Sequence, residues 1–440
     1  MNPIAKELNE ILSAGNPHVL DMLSQVGKNL FFPKGILAQS AEAKLKAHKF
    51  NATIGIATEE GKAMCLPTVM RHICDIPPEK SLTYAPSFGL PELRAVWKDA
   101  LAAKNPLLAG KVFSLPVVSQ AITHGIALLG ELFIDPGDVV VVPDKMWGNY
   151  NLILSVRRSA VMSHFPLFNE AGGFNLEAFE AKLLQEAGKA EKLIVLLNFP
   201  NNPTGYAPTR EEAEGIARIL KSVADRGVNI VAVSDDAYFG LFYEDSVMPE
   251  SVFGLLCGAH PRILAVKLDG ATKEDFVWGL RVGFVTYGAK MEGDPKIFYE
   301  ALEKKTAGCV RGTISNASHL SQSILLSAMR NGEYEDEKAE KREILRRRAV
   351  RVKEVLADPK YADAWEPYPF NSGYFMCVKL LTVDAETLRV HLLDKYGVGL
   401  ISLGPTDLRV AFSCLEESHV AELFDLVLAG VRDLEGAGAA

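Results

Sequence analysis

Three short segments hold the residues best suited to chemistry: Asn198-Phe199-Pro200-Asn201-Asn202-Pro203-Thr204-Gly205, Ser234-Asp235-Asp236-Ala237-Tyr238, and Thr272-Lys273 followed by Gly279-Leu280-Arg281-Val282-Gly283. A lysine acts as a nucleophile or proton carrier near neutral pH only as a free amine, and desolvation or cationic neighbours lower its pKa enough for that. Arg281, eight residues after Lys273, offers a planar guanidinium that forks onto the oxygens of an anion. Asp235 and Asp236 are adjacent carboxylates. Successive strand residues face opposite ways, so only one of them can share a site with Lys273. A plainer reading has both aspartates capping a strand end. Ser119-Gln120-Ala121-Ile122-Thr123-His124-Gly125 precedes a helical run at 126–133, and a helix N-terminus favours an anion. His124 there fits a local cap better than a base. Arg409, in Asp407-Leu408-Arg409-Val410-Ala411-Phe412, supplies a second fork suited to a carboxylate.

These residues need a scaffold. The runs 139–142, 193–197, 229–233 and 263–266 are short and rich in Val, Ile or Leu. They read as buried strands, and helical patterns such as 211–226 between them predict a parallel sheet in an α/β domain. Asp135-Pro136-Gly137-Asp138 is a turn leading into one strand. The Asn202 turn follows another, at the strand end where open α/β sheets bind ligands. After about residue 290 the pattern changes to a long charged helix at Tyr334–Leu356, a strand-like 373–380, a helix near 385–395 and a strand-like 408–413. That reads as α+β. Residues 1–50 read as helical arms interrupted at Phe31-Phe32-Pro33-Lys34-Gly35. A chain of 440 residues exceeds one compact core, so two domains are expected.

A net charge of −8 and the lack of a basic run argue against nucleic-acid binding. No apolar stretch reaches the ~20 residues that span a bilayer, and the N-terminus does not read as a signal peptide. The six cysteines are scattered with no C-x-x-C pair, which fits structural thiols in the cytoplasm and no metal site.

In this order the motifs resemble the active site of fold-type I pyridoxal-phosphate enzymes of the class I/II aminotransferase family. The resemblance runs from about Gly55 to the C-terminal region. It implies a large αβα domain around a mostly parallel sheet (76–320) and a smaller α+β domain at 321–440, to which 1–75 contributes an N-terminal arm and a part. It implies that Lys273 forms the Schiff base with pyridoxal phosphate, that Arg281 forks onto the cofactor phosphate, and that Asp235, three residues before Tyr238, partners the pyridine nitrogen. Asn202 and Tyr238 would bond the ring oxygen, Trp147 would stack on the ring, and Ala121, Ile122 and Thr123 would cradle the phosphate. Tyr84, in Tyr84-Ala85-Pro86-Ser87-Phe88-Gly89, matches a tyrosine that reaches the partner's phosphate across a two-fold interface, which implies a homodimer with shared sites. Gly55, Asn202 and Arg409 would contact substrate, Arg409 through the α-carboxylate. Arg311, four residues before Ser315-Asn316, matches the arginine that aspartate aminotransferases extend from the neighbouring subunit to a distal carboxylate. Asn371 and Phe375 sit where the family lines its pocket, although 372–375 also reads as an ordinary strand. The family often has serine three residues before the lysine, and here that residue is Gly270.

The function this implies is transamination between an amino acid and a 2-oxo acid by ping-pong chemistry, with a dicarboxylate such as aspartate or glutamate if Arg311 plays its part. Aromatic or alanine-type transamination and C–S lysis are the alternatives on the same fold, since the motifs bind the cofactor and do not choose the bond broken. A cofactor-binding regulatory domain is a different class. It would need a basic DNA-binding module, which 1–50 does not resemble.

Overall fold

The structure is a computed structural model that describes residues 1–31 and 35–438. Positions 32–34 of the expected interruption lie outside the described residues. At its centre are seven strands: β1 (Val117–Ser119), β2 (Val139–Pro143), β3 (Val161–Phe165), β4 (Lys192–Asn198), β5 (Asn229–Asp235), β6 (Ile263–Asp269) and β7 (Gly283–Ala289). Their order across the sheet is β1-β7-β6-β5-β4-β2-β3. From β3 to β6 all neighbours are parallel, and β7 runs antiparallel to both β6 and β1. Both faces of the sheet's central strands are largely buried, which is why the middle of each of these runs is mostly apolar. Val140 and Val142 enter one apolar cluster and Val141 the other; Ile194 and Leu196 likewise oppose Leu193 and Val195. The expected strands are all present, and the helix at Arg210–Asp225 lies between β4 and β5 as its pattern predicts. It opens with a capping box, Thr209 with Glu212.

A second sheet is wholly antiparallel: β8 (Trp365–Pro367), β9 (Met376–Leu380), β10 (Ile401–Leu403) and β11 (Asp407–Val410), in the order β8-β9-β11-β10. Two of these strands are shorter than expected. The 373–380 run starts pairing only at Met376; Gly373 N–H is taken by Leu241 O at 2.8 Å, and just before it Asn371 and Ser372 donate to Gly205 O. The 408–413 run leaves the sheet after Val410, where Ala411 N–H turns to Ala52 O at 3.0 Å. The Tyr334–Leu356 helix forms as predicted, and Ala385–His391 continues into a wider π turn at Leu392–Tyr396.

The N-terminal segment packs on this second sheet. Phe50–Asn51 pairs in parallel with Val398–Gly399, and Gln39 of the Ile36–Lys46 helix exchanges hydrogen bonds with Ser402. Among the described residues no helix is long and apolar enough to cross a membrane.

Candidate active site

A cavity of about 220 Å³ opens where the C-terminal ends of the parallel strands meet the second sheet. Lys273 lies in it. Strand β6 ends at Asp269, Gly270 follows, and a single helical turn, Ala271–Glu274, carries the lysine. A Cβ on Gly270 would stand 2.6 Å from Val282 O, so this backbone path admits no serine there. That accounts physically for the departure noted above. Burial lowers the Lys273 amine to about 8; Asp235 opposes this and Arg281 adds to it. Its Nζ stands 4.9 Å from the centroid of the Tyr238 ring.

The two aspartates part company as strand alternation requires. Asp235 lines the cavity, while the Asp236 carboxylate turns away to Lys267 and to Ser251 Oγ at 2.6 Å. Burial pushes Asp235 up to about 6, against a hydrogen bond from Tyr150 and the charge on Lys273. The Tyr150 hydroxyl donates to Asp235 Oδ2 at 2.5 Å and is itself almost fully buried. Asn198 Nδ2 donates to Asp235 O at 2.8 Å, and Asn198 Oδ1 accepts from Asn202 N–H at 2.8 Å. One asparagine thus ties the ends of two adjacent strands.

On the facing wall, Arg409 is 1% exposed and no carboxylate pairs with it among the described residues. Its Nη1 donates to Asn202 Oδ1 at 2.9 Å and its Nη2 to Thr53 O at 2.8 Å; its buried Nε has no partner. The guanidinium carbon lies 4.0 Å from the centroid of Phe375, which also lines the cavity. Gly55 completes this wall, where a Cβ would come within 3.2 Å of Phe375 Cζ.

At the other end the Ala121–Phe133 helix starts with no side-chain cap, so its first N–H groups remain available to an anion. The helix begins five residues earlier than its pattern predicts and puts Ala121, Ile122 and Thr123 in its first turn, at the cavity wall. Ala121 and Arg281 both hold positive φ, 61° and 54°. Such conformations cost about 1–3 kcal/mol each and gather at functional sites. Gly283 makes the close approach possible, since a Cβ there would lie 2.6 Å from Ala121 C. Arg281 donates to Trp278 O at 3.3 Å and pairs with no acid among the described residues; burial lowers its pKa. Thr272 Oγ1, also on the cavity wall, is buried without a hydrogen-bond partner.

Gly55, Ala121, Ile122, Thr123, Trp147, Asn202, Asp235, Tyr238, Lys273, Arg281 and Arg409 all line the one cavity. Tyr84 and Arg311 do not; Tyr84 is 89% exposed, and Arg311 is exposed near the end of the Pro295–Thr313 helix. Asn371 is also outside, with its amide bonded in both directions to the backbone of Ala207. His124 caps locally: its Nδ1 accepts from Gln120 N–H at 3.1 Å, which leaves Nε2 to donate to Thr313 Oγ1 at 3.1 Å. Sequence reasoning missed Tyr150, Asn198 and Thr272. The first was visible only as a second aromatic beside Trp147, and the other two as polar residues inside motifs already quoted.

A profile of the class I and II aminotransferases matches residues 47–427. The chain belongs to that family. It is 28% identical over 357 residues to a probable aspartate/prephenate aminotransferase of Aquifex aeolicus, covering 78% of this chain and 82% of that protein. It is 25% identical to a probable N-acetyl-LL-diaminopimelate aminotransferase of Bacillus subtilis, over 76% and 78% of the two. An alignment with the aspartate aminotransferase of Bacillus sp. YM-2, at 26% identity, takes in 58% of this chain and 62% of that enzyme. An aminotransferase of Anaerococcus prevotii shares the fold with a TM-score of 0.82 at 22% identity, covering 93% of this chain and 98% of that one. The Thermus thermophilus aspartate aminotransferase, as a single mutant, gives 0.72 at 20%, covering 93% and 99%.

Members of this family are pyridoxal-phosphate transaminases, and the cavity fits that cofactor. Among the described residues it presents three cations, Lys273, Arg281 and Arg409, and one acid, Asp235. The orphaned Thr272 hydroxyl, the uncapped helix and the unpaired Arg281 converge where an anion would be held.

Proposed function

We propose that this aminotransferase acts on a dicarboxylic amino acid and its 2-oxo acid partner, with the cavity residues in the following roles. The observation that carries the reading is a pair of cations in one cavity with no acid partner among the described residues, half-buried Arg281 at one end and buried Arg409 at the other. Arg281, Thr272 and the 121–123 turn hold the cofactor phosphate. When bound, pyridoxal phosphate supplies an aldehyde carbon for amine exchange and a ring that draws electrons from the substrate Cα. Asp235, kept ionised by the Tyr150 hydrogen bond, holds a proton on the ring nitrogen. Trp147 gives the ring a flat wall, and Asn202 and Tyr238 orient it. Arg409 takes the substrate α-carboxylate through its fork, beside Gly55 and Phe375. Lys273 would hold the cofactor, and as a free amine it would move the proton at the substrate Cα, first as base and then as acid, which needs an amine whose pKa lies near neutrality.

The distal carboxylate needs a further cation, and among the described residues the lining offers none beyond those already engaged. Arg311 of a second copy fills that need. A homodimer is supported by the exposed apolar group of Leu82, Tyr84, Ile314 and Leu320, which hydrogen bonds from Thr83 to His319 and from Ser87 to Ser315 draw together. The aspartate-type names of several relatives support the same substrate class. We place the enzyme in the cytoplasm, on the scattered cysteines. The division at 1–75, 76–320 and 321–440 is the one this mechanism uses, the cavity taking residues from all three parts.

The test is an absorbance spectrum of the purified protein before and after single amino acids. Loss of the visible band on adding aspartate or glutamate, with release of oxaloacetate or 2-oxoglutarate, is expected. A preference for alanine or phenylalanine with neither dicarboxylate used would overturn the substrate class. Pyruvate and ammonia as products would favour lyase chemistry.

A further inference from the structure

We propose that Lys338 is a positioning residue for the reaction: from the Tyr334–Leu356 helix it holds both carboxylates that follow Lys273, and so fixes where that lysine stands and which charges surround it. The inference rests on the reading of Lys273 above. Glu274 and Asp275 come next in the chain and are 8% and 0% exposed. Lys338 Nζ lies 3.2 Å from Glu274 Oε1 and 2.7 Å from Asp275 Oδ1. Tyr334, one helical turn earlier, donates to Asp275 Oδ1 at 2.5 Å. From the opposite side Lys104, at the end of the Pro91–Lys104 helix, bonds Glu274 Oε1. Burial would raise Glu274, but Lys104 and Lys338 outweigh it and bring the carboxyl to about 2, whereas burial keeps Asp275 raised.

A four-residue helix cannot hold itself, because nucleating a turn is unfavourable without outside contacts. Phe276, two residues beyond this turn, has a φ of 55°, which adds strain. The turn carrying Lys273 is therefore held from outside. Tyr374 O–H donates to Lys273 O at 2.8 Å, and the two carboxylates are clamped by lysines from two other helices. Asp275 Oδ2 stays without a partner, so Lys338 and Tyr334 are the groups that keep this acid in place.

Charge gives the second part of the role. Glu274 and Asp275 balance Lys104 and Lys338 one for one. The other charged or titratable groups around them are Tyr334, Glu335 and Arg342 on the long helix, Lys267 and Asp269 on β6, and Tyr374, with Asp235 and Arg281 facing Lys273 from the cavity. Without Lys338 a net negative charge is left beside the catalytic amine; without the Glu274 charge a net positive one is left.

The experiment compares wild type with Lys338→Met, Lys338→Arg and Glu274→Gln, each as the full chain purified with its cofactor. Readouts are the pH midpoint of the visible band, kcat and KM separately, and the folded fraction by circular dichroism. Lys338→Met is expected to move the midpoint up by about half a pH unit or more and Glu274→Gln to move it down. Lys338→Met should lower kcat about tenfold with little change in KM. Lys338→Arg should restore both. Folded variants with the wild-type midpoint and kcat, or with midpoints shifted the same way, would overturn the proposal. If Lys338→Met does not fold, Glu274→Gln decides alone: an acid shift supports the proposal and no shift refutes it. Failure of the functional reading is separate, since it would show as a wild-type chain with no visible band.

Discussion

Replacing Tyr150 by phenylalanine removes one hydrogen-bond donor from Asp235 and little else. The ring keeps its edge-to-face packing on Trp147, with centroids 5.5 Å apart. Asp235 keeps the Ala237 N–H at 3.2 Å on its other oxygen and the nearby charge of Lys273. The lost bond joins a buried hydroxyl to a buried carboxylate at 2.5 Å. Hydrogen bonds to charged groups contribute about 1.5–3 kcal/mol, which is about 1–2 pH units. Asp235 is pushed up to about 6 by burial even with Tyr150 in place. Without it the carboxyl moves to roughly 7–8, and at pH 7 half or more of the molecules would hold a neutral acid. A neutral acid cannot keep a proton on the ring nitrogen. The assay is kcat/KM from pH 5 to 9 on cofactor-loaded protein, where the acid limb reports the free enzyme. The limb should move up by about 1–2 units, with activity recovering at high pH. A folded variant whose limb stays put would refute the argument, and a loss uniform in pH would show that Tyr150 acts through the shape of the Trp147 wall and not through the carboxylate.

Three further expectations follow from the same geometry. Arg409→Lys keeps a charge but loses the fork that also reaches Asn202 and Thr53, so KM for the amino acid should rise about 10- to 100-fold, and an unchanged KM would remove Arg409 from the substrate site. Arg311→Gln should raise KM for aspartate and glutamate about 10-fold or more and leave alanine untouched, while equal effects on both would sink the dicarboxylate role. Asp269, buried with one oxygen unpartnered, is raised from 3.8 to about 6 chiefly by burial. Its folded pKa lies above its unfolded one, so its contribution is present below about pH 4 and lost as pH rises through 6, an effect of about 3 kcal/mol. Urea denaturation should therefore show Asp269→Asn gaining on wild type between pH 4 and 7, and a gap constant in pH would contradict the assignment.

The strands of the central sheet could be read from composition because burial on both faces leaves an apolar run with no alternation to interpret. The reversed direction of β7 was also open to inference, though from a different signal. The number of residues between Asp269 and Gly283 would suffice for a parallel crossover, but a helical pattern as long as the one between β4 and β5 is missing there, and the fold forms only the single turn Ala271–Glu274. The two shortened strands of the second sheet could not be anticipated. Their ends are marked by Leu241 and Ala52, distant in sequence, which take the N–H groups of Gly373 and Ala411.

The site divides along the same line. Residues that meet the ligand sit in compact motifs, because a turn or a strand end must present several of them at once; Lys273 with Arg281, and Asn202 inside its turn, are of this kind. Residues that hold those residues do not share their motifs. Tyr150 and Asp235 are 85 positions apart, and Lys338 and Glu274 are 64 apart. The Asp235-Asp236 pair shows why local reading stops there. Alternation says that one of the two must leave the cavity, but it cannot say what the other meets. The fold answers with Lys267, 0% exposed and reached across the sheet from β6, whose amine lies against Asp236 and 3.5 Å from Asp269. An unpaired carboxylate at that depth would cost several kcal/mol, so this lysine is a condition for placing an acid behind Asp235 at all. Two adjacent aspartates thus draw on opposite environments, one left short of positive charge so that it can serve a ligand, the other fully countered so that the strand end can exist.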